Sequence, residues 1–162
     1  MTDRPFDKNG NIDWEYVSHC LKLPEEFMRR HKDDIRWGWI SHDQKLSENF
    51  MREFADKLEW IHICTDQVLS EKFIEEMKDY IDWRTTVCSQ KLSSEFIEKY
   101  ADIFNEKRLW DGIFKHQMDR MTDEQIYRYQ NKIGFSTYCV CDDRIEKVNS
   151  IYSKIGRYKN IL

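Results

Sequence analysis

The chain has 162 residues, 40% of them hydrophobic and 14% aromatic, with 26 Lys or Arg against 30 Asp or Glu for a net charge of −4. That composition excludes an intrinsically disordered chain, and the charge singles out neither nucleic acid nor an anionic surface as partner. No window approaches the roughly 18 to 20 apolar residues that span a bilayer, the stretch Met1 to Asn11 lacks the apolar run of a secretory signal, and the cysteines form no CxxC pair, so a soluble, cytoplasmic protein with reduced thiols is expected.

A step of 23 residues organises most of the chain. It relates Leu23, Leu46, Leu69 and Leu92; Trp14, Trp37, Trp60 and Trp83; Phe27, Phe50, Phe73 and Phe96; Asp33, Asp56, Asp79 and Asp102; and Gln44, Gln67 and Gln90. In chain order, a half unit at 13–22 is followed by units beginning at residues 23, 46, 69, 92 and 121, and a divergent stretch at 144–162 reads as a cap. The half unit opens on Asp13 and Trp14, an acidic residue before an indole where a helix N-terminus favours negative charge. In the unit from residue 46, Phe50, Met51, Phe54 and Leu58 form the apolar stripe of a first helix behind Ser47, an N-cap residue. Trp60, Ile63, Cys64 and Gln67 then line one face of a second.

Helices of about eight to eleven residues are predicted, marginal alone and stable only when stacked. Their glutamines are placed to hydrogen-bond between helices. In the unit from residue 92 the register slips by four residues near Asn105 to Leu109 and resumes at Trp110, Ile113 and Gln117. The last unit starts at Met121 and Thr122, continues through Tyr129, Asn131 and Ile133, and puts Phe135 in the tryptophan column. The expected fold is all-α: one helical-repeat domain over 1–162, a short solenoid of about five stacked hairpins with a C-terminal capping helix.

The columns spell Leu-Ser-x-x-Phe-Ile/Met, then Asp, Trp, Ile, Ser/Cys and Gln at fixed offsets. This resembles the short tandem helical repeats of large DNA viruses and bacteriophages, with Leu69 to Ile74, Asp79, Ile81 and Trp83, and Trp37, Ile40, Ser41 and Gln44, as the closest matches. Thr86 and Val87 depart from it, standing where Ile and Ser are expected. The resemblance covers about 13–141 and implies a repeat scaffold of viral source that carries no shared catalytic motif.

No Gly-rich phosphate loop, GxSxG elbow, HExxH or paired CxxC occurs, so no enzyme, metal or cofactor is expected. The histidines His19, His31, His42, His62 and His116 are spread through the repeats, and a zinc site would need four ligands to converge. Cys64 and Cys139 sit in the small-residue column of Ser18 and Ser41, which is a packing role.

Positions two and five beyond each tryptophan point away from the core by helical geometry. They hold Tyr16 and His19, Trp39 and His42, and His62 and Thr65, which together form the predicted partner-binding strip, followed by Thr85 and Cys88. Exposed aromatic and imidazole rings of this kind are enriched in protein interfaces. A protein partner is therefore the first reading, with stacking on a second copy as a further possibility. The second reading is nucleic-acid binding through Arg144, Lys147, Lys154, Arg157 and Lys159, in a stretch of net charge +4 that also has the apolar pattern of an amphipathic helix.

Overall fold

The structure, a computed structural model, describes residues 5–132. The proposed cap at 144–162, its five cations, and Ile133, Phe135 and Cys139 lie outside the described residues. The chain divides into two compact units, Met1–Thr86 and Val87–Leu162. The described residues are all-helical apart from one isolated antiparallel bridge between Phe6 and Ile12.

In the first unit, α1 (Trp14–Cys20), α3 (Trp37–Asp43) and α5 (Trp60–Asp66) each open on the column tryptophan. Between them run α2 (Glu25–Arg30) and α4 (Glu48–Glu53), and α6 (Glu71–Glu76) follows. The helix α7 (Trp83–Ser89) spans the boundary between the units. Helices α1 and α3 pack together, as do α3 and α5, so the second helix of each hairpin rests on its equivalent in the next. This is solenoid stacking.

The helices are shorter than their apolar stripes predict: six residues in α4, seven in α5. In the unit from residue 46 the helix stops at Phe54, whose φ of −118° and ψ of 28° leave the α region. Leu58 reaches the core from the turn that follows, held by its N–H to the Phe54 carbonyl at 3.2 Å. A stripe with helical spacing thus continues through a hydrogen-bonded turn. Ser47, Ser70 and Ser93 cap their helices as expected, accepting from Phe50 N, Phe73 N and Phe96 N at 3.1–3.2 Å.

Three ladders join consecutive hairpins. In the first, the buried Gln44 accepts from Leu23 N at 2.9 Å and donates to the Leu21 and Ser18 carbonyls at 2.7 and 3.0 Å. One repeat on, Gln67 accepts from Leu46 N at 3.2 Å and donates to the Gln44 carbonyl at 2.7 Å. In the second, the Ser41 hydroxyl donates to the Trp37 carbonyl at 2.7 Å and accepts from Glu59 N at 2.9 Å, tying the start of α5 to α3. Ser18 does the same between Trp14 and Arg36. In the third, on the first helices of the hairpins, Glu25 and Glu48 accept from Ser47 N and Ser70 N at 2.6 and 2.9 Å, while Arg29 and Arg52 pair with Glu53 and Glu76 at 2.8 and 2.6 Å.

The indoles wedge between hairpins. Trp37 lies 4.9 Å from the Phe54 ring and Trp60 lies 6.1 Å from Phe73, centroid to centroid. Each also donates Nε1–H to a carbonyl five residues back, Lys32 at 3.0 Å and Ala55 at 2.8 Å, closing the turn before its own helix. Trp14, Trp37 and Trp60 are half-buried, whereas Trp83 is buried. The deepest side chains in this unit are Met28, Ile40, Phe50, Met51, Ile63, Phe73 and Ile74.

Cys64 takes the third place in the serine column and is fully buried against Thr86 and the Asp82 backbone. Burial pushes its thiol pKa up, against the hydrogen bonds from Thr86 and Asp82 that pull it down. Alkylation of the native chain with iodoacetamide, followed by peptide mapping, is therefore expected to modify the exposed Cys20 and Cys88 and to reach Cys64 only after unfolding. Equal rates at Cys20 and Cys64 would contradict the packing.

In the second unit, α8 (Ser94–Lys99) is followed by α9 (Ala101–Glu106), in which the repeat positions Ala101 to Phe104, a turn in the unit from residue 46, become helical before the chain closes through Arg108 at φ 54°. Next come α10 (Trp110–His116) and α11 (Asp123–Tyr129), linked by a 3-10 turn at Met118–Arg120. Gln117 repeats the glutamine ladder, donating to the Val87 and Gln90 carbonyls at 2.8 and 2.7 Å. Trp110 is buried and stacks on Tyr129 at 4.2 Å. Thr122 and Gln125 form a reciprocal capping box at the start of α11, with bonds of 3.2 and 3.0 Å.

Candidate functional site on the outer face of α1, α3 and α5

With the Trp, Ile, Ser/Cys and Gln columns engaged in the stack, the remaining face of the second helices is free to carry other chemistry. Four of the six strip residues come together in the first unit. The His19 and Trp39 rings lie 4.2 Å apart, Trp39 and His42 meet edge-on at 6.5 Å, and His42 and His62 meet edge-on at 5.1 Å. The result is a continuous run of rings across three helices. Trp39 is 37% exposed and the His42 side chain 48%.

The other two strip residues are placed differently. Tyr16 is half-buried. Thr65 is exposed, but its hydroxyl donates to the Ile61 carbonyl at 2.7 Å within its own helix. Neither makes a ring contact with the array among the described residues.

Carboxylates that the strip positions did not include organise the imidazoles. Asp43 takes His19 Nδ1 on one oxygen at 2.7 Å and His42 Nδ1 on the other at 2.8 Å. Its partial burial favours the neutral acid, but the two imidazoles outweigh that and hold its pKa below the ordinary carboxylate value. The same bond is the main reason that His42 is shifted above the ordinary imidazole value, with the charges of Asp43 and Asp66 adding to it. His62 stands between Glu59, 3.5 Å from its Nε2, and Asp66, 3.8 Å from its Nδ1.

Asp43 and Asp66 each lie four residues beyond a strip ring, Trp39 and His62, which is one helical turn. Scanning that further position in the repeat would have found both.

Beside the rings is an open depression of about 610 Å³, lined by Trp39, His42, His62, Gly38, Glu59, Glu15 and Arg36. Gly38 shapes it. A Cβ at this position would come within 2.8 Å of Glu59 Oε1, so glycine lets the carboxylate fold in against α3. Beyond the depression, Ile61 is exposed on α5, and Val68 is exposed in a column that holds Lys22, Lys45 and Lys91 in the other units. The face thus combines flat rings, acidic groups and isolated apolar side chains.

No described helix is long and apolar enough to cross a membrane. No protein-family model, curated protein or solved structure matches the chain.

Proposed function

We propose that the chain is a non-catalytic protein-binding module, a viral or phage factor that engages or inhibits a host protein in the host cytoplasm. The observation that carries this reading is the exposed run of His19, Trp39, His42 and His62 at the positions where the repeats differ, beside an open depression. Rings presented on short, hydrogen-bonded helices lose little conformational freedom on binding, and tryptophan is among the residues that dominate interface energetics. The surrounding Glu15, Asp43, Glu59 and Asp66 favour a partner that presents a basic side chain, whose guanidinium could stack on Trp39 while pairing with a carboxylate. The likeness of the repeat to those of large DNA viruses and phages supports the host-directed role.

The test is affinity capture from host-cell extract with three baits: the native chain, Trp39→Ala/His42→Ala, and Arg30→Ala/Lys72→Ala on the first helices of the hairpins. The expected result is a captured protein that disappears only with the Trp39→Ala/His42→Ala bait. Equal capture by all three would place binding elsewhere.

A further inference from the structure

The strip also places metal-ligating atoms together. His62 and Asp66 are four residues apart on α5, and His42 faces them from α3; one ligand atom from each lies within 4.8 Å of the others. The geometry points to a divalent transition-metal site, zinc in the first instance, formed by His42, His62 and Asp66 with an open position toward solvent.

Three features support it. Two imidazoles and a carboxylate are a donor set suited to zinc, and i, i+4 spacing puts both α5 ligands on one helical face. Asp43 holds His42 by Nδ1 at 2.8 Å, so the tautomer that donates to this carboxylate leaves the Nε2 lone pair for the ion. This is the carboxylate–histidine–metal arrangement in which an outer carboxylate orients the ligand and raises its basicity. Finally, the two helices that supply the ligands are tied at both ends, by Glu59 N to Ser41 Oγ at 2.9 Å and by Gln67 Nε2 to the Gln44 carbonyl at 2.7 Å.

Tetrahedral zinc with bonds of about 2.0 to 2.2 Å sets its donors about 3.4 Å apart. Only side-chain rotation is needed to close the remainder, and all three side chains have that freedom at 48%, 37% and 31% exposure. Glu59, 3.5 Å from His62 Nε2, is placed to orient that ring from the nitrogen opposite Nδ1, the nitrogen 3.8 Å from Asp66. The inference does not depend on the proposed protein partner, because purified chain suffices to test it.

Zinc is titrated into the full chain against a chromophoric chelator. One saturable equivalent is expected. His62→Ala and Asp66→Asn should each weaken it at least tenfold, and Asp43→Asn by about 10- to 100-fold through loss of the outer-shell bond. Cys20→Ser and His116→Gln should leave it unchanged. Absence of a saturable equivalent in the native chain, binding that survives His62→Ala, or binding that vanishes with Cys20→Ser would overturn the site. In the native chain, whatever the variants do, zinc should shift the imidazole NMR signals of His42 and His62 and leave those of His31 and His116 in place; the reverse pattern would also overturn it.

Discussion

Phe73→Ala is expected to lower the stability of the first unit by about 3 to 5 kcal/mol, read as a large fall in the urea midpoint. Phe73 is fully buried. Its ring lies 6.1 Å from Trp60 and beneath the Arg52 guanidinium at 4.8 Å, while its N–H takes the Ser70 cap and its carbonyl accepts from Met77 N at 2.9 Å. Truncation removes the body against which the preceding hairpin's indole rests and leaves a cavity that short helices cannot collapse around without breaking their caps. Small domains have only about 5 to 15 kcal/mol of net stability, so the loss is a large share of the whole. A change below about 1 kcal/mol would mean that the hairpins do not rest on one another through this column.

Gln67→Ala is expected to be nearly as damaging although it removes little apolar area. The side-chain amide is the partner of Leu46 N and of the Gln44 carbonyl, and Gln67 itself is buried. Each buried group left without a partner costs about 1 to 3 kcal/mol, so the two together amount to roughly 2 to 6. The apolar mimic Gln67→Leu should give no rescue, because volume is not what the site lacks. Rescue by leucine would show that glutamine acts there as a spacer. Hydrogen exchange supplies a local readout: the Leu46 amide should lose protection in both variants.

The 23-residue period made much of this legible. Trp60 against Phe73, Ser47 as a cap, and the glutamines as bonds between helices all follow from residue type and spacing, because a repeat must bury one face against its neighbour. Other features have no trace in the columns. The early end of α4 is a matter of backbone dihedrals at Phe54, an apolar residue that fits a helix and a turn equally well. The extra helix α9 takes up the repeat positions Ala101 to Phe104, a turn in the unit from residue 46, and runs on into Asn105 and Glu106, where the inserted residues let the helix continue. Ser41 read as a small packing residue, yet its hydroxyl bridges Trp37 and Glu59, a role that only the position of the next unit defines.

The candidate site was half visible for the same reason. Outward positions found Trp39, His19, His42 and His62, since exposure follows from helical phase alone. Asp43 joining two imidazoles from α1 and α3 depends on the distance between helices, which one chain's spacing does not contain. Gly38 likewise gained meaning only from the approach of Glu59. Histidines that looked scattered along the sequence became neighbours because the stack brings equivalent turns side by side.

The most direct test of the account is urea unfolding of Trp39→Ala/His42→Ala beside Gln67→Ala. If the rings are a surface carried by the stack, the double variant should stay within about 1 kcal/mol of the native chain while Gln67→Ala loses several times more. A double variant as unstable as Gln67→Ala would make the strip part of the structural framework and remove the basis for assigning it to a partner.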